Sequence, residues 1–461
     1  MPGGCKLWHV TTHSARYIAL VAAIAVTGAL SIAPVRAGQP KPKKLLEAYL
    51  KAKKDADREK AWAAVLAAPT LAADEVPKLR DLAVRLVRKR GRRIGSGREE
   101  WFDEDKDGWK GLYLTSGKGK KGLALGLHGG GAGSGDAGSA SSSFGGPISS
   151  LGFRGVFPEV LRKTEYGWTD PPETERWIIE ELLPAAIRTW KVDPNRVYVT
   201  GHSMGGYGTW TYGSIHADRF AGGAAFAGAP TIFWEQGQKD KRADAVVEGY
   251  LPNLYNLPLF IYQSLDDRNV PPAANVFACG RLKELHASDP AGWEFVYEEV
   301  NGRGHAFPEK GPKPGLEWMA EHARNPRPTK IHWQPVREWK KRFYWLYWET
   351  PWLLSEVVAS VDRERNAVDI TVATPRSMTP QRTETERESF VSTLRVSLDD
   401  RLVDMTREVV VTLDGVERFR GVPQASLATL IRTAEQREDP EYVFAFEATM
   451  GAPPPVEGSG E

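Results

Sequence analysis

Residues 192–210 read VDPNRVYVTGHSMGGYGTW. Over 196–200 apolar and β-branched side chains follow one another, as in a strand buried on both faces. Gly201 ends the run, and a helical pattern starts after Gly206. Between the two, Gly201-His202-Ser203-Met204-Gly205 leaves one serine at a strand-to-helix bend. A G-x-S-x-G bend holds its serine in strained backbone geometry, so that the hydroxyl projects alone. The glycines are required because strand and helix approach closely there, and a side chain on either would collide.

The alternation continues in both directions. Residues 112–114, 122–127, 156–157, 224–227, 258–263 and 294–300 read as strands, and 177–190 and 316–323 as helices. Strands alternating with helices predict an α/β fold with a mostly parallel, doubly wound sheet covered on both faces.

A serine hydroxyl is a weak nucleophile near neutral pH. It needs a base within hydrogen-bond reach and a third group to orient that base. In G-x-S-x-G sites the chain order is Ser, acid, His. Well past the serine and any acid strand that follows it stand His286, His305, His322 and His332. His286 and His322 fall in helical patterns and read as surface positions, and His332 lies beyond a proline-marked linker. His305 follows a predicted strand in Gly302-Arg303-Gly304-His305, where small neighbours leave an imidazole free to reach over, so it is the expected base. The acid belongs in the loop after the 258–263 strand. Asp267 is favoured by its spacing to Val270-Pro271, with Asp266 the alternative. A histidine base implies loss of activity below about pH 6, where an ordinary imidazole takes up its proton. Negative charge on a substrate oxygen needs donors: the His128-Gly129-Gly130-Gly131 stretch can offer the amides of Gly129 and Gly130, and Met204 the amide after the serine. The glycine-rich 131–146 stretch could instead be a flexible loop or a phosphate cradle. No Gly-Lys-Ser/Thr ending follows it, which disfavours a P-loop.

These motifs resemble a known family. VDPNRVYVTGHSMGGYGTW, DRFAGGAAFAGAP (218–230), LHGGGAGSGD (127–136), LPLFIYQSLDDRNVPP (257–272) and NGRGHAFP (301–308) look like bacterial α/β-hydrolase-fold serine hydrolases of the predicted-peptidase, phospholipase/carboxylesterase-like and prolyl-oligopeptidase-like group. The resemblance spans about residues 112–327. It implies a triad of Ser203, Asp267 and His305, with an oxyanion hole near Gly129, Gly130 and Met204. Gln263-Ser264 departs from the His-Gly often found ahead of the acid loop. Members act on polyhydroxyalkanoate, feruloyl and acetyl esters, and others on peptides. The expected partner is thus an ester or peptide substrate, including a polymeric or carbohydrate-linked one. Carboxylic ester hydrolysis leads, a serine peptidase is the alternative, and a binding protein on an inactive scaffold is the third reading.

Around this core, five segments are expected. Residues 1–37 read as an export signal: Lys6 and Arg16, an apolar run over 17–33, then Val35 and Ala37 at a cleavage site. Residues 38–108 read as helical, packing against the main domain. The hydrolase domain covers 109–327, a β-rich accessory domain 328–452, and a Pro/Gly/Ser-rich disordered tail 453–461. In the accessory domain Val368, Ile370 and Val372 alternate, as do Val409, Val411 and Leu413, and Asp414-Gly415 marks a hairpin. Tyr166, Trp168, Trp210 and Trp234 are candidate substrate-pocket residues, and 234–250 a candidate lid. The aromatic-rich 333–352 stretch is expected to join the accessory domain to the hydrolase; the alternative is an exposed row that stacks on sugar rings. Lys and Arg (61) nearly balance Asp and Glu (59), which is no footprint for nucleic acid. No stable membrane association is expected once the signal is removed. The two cysteines, Cys5 and Cys279, leave one in a processed chain, with Cys279 reading as a packing residue. Scattered histidines without His-Glu-x-x-His or paired cysteines predict no metal and no cofactor.

Overall fold

Eight strands build the main sheet: β1 (Arg98–Phe102), β2 (Trp109–Ser116), β3 (Leu123–Leu127), β4 (Arg154–Pro158), β5 (Val197–His202), β6 (Gly222–Phe226), β7 (Leu259–Ser264) and β8 (Phe295–Val300). Their order is β1-β2-β4-β3-β5-β6-β7-β8. From β4 to β8 neighbours run parallel; β1 and β2 are antiparallel additions. β3, β6 and β7 are buried at every residue, because helices cover both faces. This is the doubly wound α/β architecture expected from the sequence. In the computed structural model residues 40–102, 108–130, 134–163, 167–169, 171–230, 251–373 and 384–451 are described. The expected export signal, the 234–250 lid, the 453–461 tail, Tyr166 and Trp234 lie outside them.

The helices are α1 (Pro42–Lys51), α2 (Asp55–Leu66), α3 (Val76–Arg90), α4 (Ala137–Ser150), α5 (Pro172–Trp177), α6 (Leu183–Trp190), α7 (Met204–Ile215), α8 (Ala273–Ser288), α9 (Lys313–Glu321), α10 (Glu384–Val391) and α11 (Leu427–Gln436). α4 occupies most of the stretch for which a flexible loop or phosphate cradle is the alternative reading. Its AGSASSSFGGPISS sequence has poor intrinsic helix propensity. Two devices offset that: Asp136 and Ser139 form a reciprocal capping box, and Ala137, Ala140, Phe144 and Ile148 bury one stripe. β1 was also unexpected in a region read as helical. Only Trp101 of its five residues is buried, so no alternation exists to be read.

After β8 the chain builds two further sheets from β9 (Lys330–Trp333), β10 (Arg342–Phe343), β11 (Leu346–Trp348), β12 (Glu356–Asp362), β13 (Ala367–Ala373), β14 (Leu394–Leu398), β15 (Val409–Leu413), β16 (Val416–Gly421) and β17 (Phe446–Thr449). One has the order β10-β11-β14-β17, the other β16-β15-β13-β12-β9. The Asp414-Gly415 pair takes φ of 51° and 79°, the left-handed backbone of a tight hairpin turn joining β15 to β16. Trp333, Phe343, Tyr344, Trp345, Trp348 and Trp352 are all buried and share one apolar cluster with β3 and β5. They are joining residues, and the exposed sugar-stacking row is not formed by them.

The N-terminal helices do not pack mainly on the α/β sheet. Leu46, Leu50, Val65, Leu79 and Ala83 share a separate core with Leu427, Leu430, Ile431 and Ala434 of α11. Tyr49 Oη donates to Glu435 (3.0 Å) and Arg58 pairs with the same carboxylate (2.6 Å). Leu66, at the end of α2, is 62% exposed. Among the described residues no helix is long and apolar enough to cross a membrane.

Candidate active site

Ser203 lies between β5 and α7 with φ 60° and ψ −122°, a backbone state that costs a non-glycine residue about 1–3 kcal/mol. The bend closes only because its neighbours lack side chains. A Cβ on Gly201 would stand 2.3 Å from the Gly205 carbonyl oxygen, and one on Gly205 2.1 Å from that of Leu127.

The loop after β8 carries His305 to this serine. His305 Nε2 lies 2.8 Å from Ser203 Oγ, and Nδ1 lies 2.7 Å from Asp267 Oδ2. The Asp267 side chain has no exposed surface; that of His305 is 20% exposed. Asp267 Oδ1 accepts from the amides of Asn269 (2.9 Å) and Val270 (3.0 Å). Its spacing to Val270 therefore has a direct use: the turn fixes the carboxylate. A hydroxyl, an imidazole and a buried carboxylate in series can pass a proton from Oγ to Nε2 while Nδ1–H stays on the acid.

Asp266 has a different position. Its exposed carboxylate accepts through Oδ1 from Ser264 Oγ and from the amides of Gly302 (3.0 Å) and Gly304 (3.0 Å). Ser264 Oγ in turn accepts from the Arg303 amide at 3.2 Å. These bonds, led by that of Ser264, hold the Asp266 carboxyl down to about 2. One acid thus grips the backbone of the His305 loop while the next one holds the imidazole.

The glycine-rich loop after β3 faces the serine. A Cβ on Gly129 would be 3.3 Å from that of Ser203. Met204 opens α7, and the first amides of a helix have no acceptor within it. His128 fixes this loop from beneath. The Val160 amide donates to its Nε2 (3.2 Å), so Nδ1 carries the hydrogen and donates to the Gly129 carbonyl (2.8 Å). Burial pushes the His128 imidazole down, keeping it neutral. Trp168 is fully buried and donates from Nε1 to the His128 carbonyl (3.2 Å). Trp168 and Trp210, expected as pocket residues, are therefore packing groups: at 0% and 1% exposure neither offers a face to a ligand.

Residues 157–310 match the Esterase family model, described as "Putative esterase". That span holds the serine, the histidine and both aspartates. This is an α/β-hydrolase-fold serine hydrolase, acting on carboxylic esters. No curated protein matches the chain. Among solved structures it is similar to a thermostable esterase, with 20% identity over 49% of this chain and 63% of that one, at a TM-score of 0.34. A ferulic acid esterase gives 17% identity, 50% and 99% coverage and 0.38. The ferulic acid esterase of the anaerobic fungus Anaeromyces mucronatus gives 14%, 50% and 90%, and 0.35.

Some contributors to this hydrolase site carried no sequence signal. Gln263 Nε2 donates to Asp267 Oδ2 (3.4 Å) and the Val270 carbonyl (3.2 Å), and Gln263 Oε1 accepts from Asn275 (2.7 Å). The residue that departs from the family pattern is thus the one that braces the acid loop. His202, beside the serine, packs on His305 and Phe307 with ring centroids 4.9 and 4.4 Å apart.

His202 and the fully buried His216 are each pushed down from 6.5 to about 4, chiefly by burial. An unfolded chain takes up these protons near 6.5, so below that the unfolded state binds more protons than the folded one. Stability present above the window is lost as pH falls from about 6.5 to about 4, by up to about 3 kcal/mol for each histidine. Denaturant unfolding at pH 7 and pH 4.5 should show this loss, and His202→Phe should lessen it. Equal stability at the two values would contradict it.

Proposed function

We propose that Ser203, His305 and Asp267 hydrolyse a carboxylic ester through an acyl-enzyme. Ser203 Oγ attacks the carbonyl carbon as His305 Nε2 takes its proton. The oxyanion is held by the amides of Met204 and of Gly129 or Gly130. His305 returns the proton to the departing alkoxide, the C–O bond breaks, and an alcohol leaves. Water then repeats the sequence on the acyl-Ser203 ester and releases the acid. Asp267 holds the imidazole tautomer and stabilises the imidazolium without taking the proton itself. The observation carrying this reading is the unbroken Asp267–His305–Ser203 series at 2.7 and 2.8 Å on a serine held at φ 60°.

A cavity of about 250 Å³ adjoins the His128–Gly130 loop, bordered by Ser139, Ser143, Phe144 and His202. Its lining includes neither Ser203 nor His305, and it supports room for a small substrate group beside the expected oxyanion loop. The N-terminal sequence supports export of the protein.

Aryl esters of increasing acyl length, run beside aminoacyl aryl amides and a fluorophosphonate probe, test the reading. Turnover should be highest for acetyl to butyryl esters and fall at least about tenfold by decanoyl, with the probe attached to Ser203. Faster cleavage of the amides would replace the esterase by a peptidase. Absence of both labelling and turnover would end the catalytic reading.

A further inference from the structure

Away from the serine, where α7 ends, Asp218 and Arg219 enter a buried ionic cluster with residues from both ends of the β-rich region. Asp218 is fully buried; one carboxylate oxygen accepts from Lys340 Nζ (2.5 Å) and the other from Arg437. Asp439, 7% exposed, accepts from Arg324 (2.7 Å). Two carboxylates are thereby shared among Arg324, Lys340 and Arg437, each buried. The Tyr442 ring lies 3.8 Å from the Arg437 guanidinium carbon and 5.0 Å from that of Arg324, which offsets part of the excess positive charge.

Arg219 adds a fourth cation with no carboxylate of its own. Among the described residues its guanidinium has no hydrogen-bond acceptor and no ion-pair partner. Its Nε touches neither solvent nor an acceptor. Burial, followed by the nearby Arg437 charge, pushes the guanidinium down to about 10. The other acids around it are engaged: Glu180 with Arg176, Glu435 with Arg58 and Glu438 with Arg188. Arg219 is half-buried, and a partly desolvated charge without an ion-pair partner is costly. Arg219 also borders two clefts, of about 270 and about 190 Å³. Arg437 lines both; the larger is also bordered by the carboxylates of Glu180, Glu435, Glu438 and Asp439, whereas in the smaller Lys340, Lys341 and Arg342 outnumber Asp218 and Glu180.

We propose that the smaller cleft forms a site for a small oxyanion, free phosphate or a phosphate group on a small molecule, held by Arg219 in place of the missing carboxylate. The anion supplies the counter-charge that the fold omits and ties α7 to the segment after α11. This site is separate from the ester chemistry and does not depend on it.

The test uses the whole chain, wild type and Arg219→Gln, in phosphate-free chloride buffer at fixed ionic strength. Each is titrated with inorganic phosphate and, separately, with glycerol 3-phosphate, while thermal unfolding is followed. The wild type should gain a saturable rise in Tm of about 2 °C or more that chloride does not give. Arg219→Gln should lose that rise, and without phosphate it should unfold no lower than the wild type, because an uncompensated cation has gone. A response to inorganic phosphate assigns the free ion, and a response to glycerol 3-phosphate alone assigns an esterified one. Failure of both probes, an undiminished response in Arg219→Gln, or a lower Tm for that variant without phosphate would each overturn the proposal.

Discussion

Replacement of Ser203 by alanine should leave a folded protein whose kcat/KM for a short-chain aryl ester is lowered by at least about 10⁴-fold, since the nucleophile and its base act as a unit. The fold should be indifferent to the change. The alanine Cβ occupies the same place, and the surrounding bonds, from the Ser203 amide to the Phe226 carbonyl (2.9 Å) and from the Tyr207 amide to the Ser203 carbonyl (3.0 Å), are made by the backbone. The φ of 60° also remains, so alanine does not relieve the strain. Glycine does: Ser203→Gly should be equally inactive yet more stable than Ser203→Ala by about 1 kcal/mol. Ester turnover beside thermal unfolding separates the two effects. Activity within about tenfold of the wild type in either variant would remove Ser203 from the mechanism.

The second large effect concerns the adjacent aspartates. Asp267→Asn should lower kcat by about 10⁴-fold, because an amide can present its N–H to Nδ1 and favour the wrong imidazole tautomer. Asp266→Ala should cost only about tenfold, since it frees the Gly302 and Gly304 amides and loosens the loop without touching the imidazole. Asp266→Asn keeps an acceptor oxygen there and should recover most of that loss, with the pH profile unmoved. The reverse ranking of the two positions in a kcat comparison would make Asp266 the acid.

The chemistry was more legible in the sequence than its support. Ser203 and the acid loop each follow a strand whose residues are nearly all buried, a kind of apolar run that is easily read, whereas His305 follows a half-buried strand and is marked by its small neighbours in the loop instead. Position does not reveal partnership, however. The spacing to Val270-Pro271 favours Asp267, but nothing in Asp266-Asp267 shows that the other carboxylate accepts from the Gly302 and Gly304 amides of the histidine loop. Gln263 looked like a mere departure from pattern because its value lies in bonds to Val270 and Asn275. α4 escaped because serine and glycine favour helix weakly, and tertiary burial of Phe144 and Ile148 decides its state. Trp168 and Trp210 could be read as pocket or packing residues for a related reason: a tryptophan near a site is as useful beneath the backbone as beside the ligand.

The pairing of Tyr49 and Arg58 with Glu435 has a bearing on when this molecule can mature. The earliest helices have their apolar partner, α11, almost four hundred residues downstream, so they stay unsheltered until nearly the whole polypeptide has been made. Closing so distant a contact is slow and comes late. A chain whose first helices wait for its last one completes its fold late in synthesis. The same arrangement means that a fragment trimmed to the hydrolytic sheet would lack the seal that completes the native molecule.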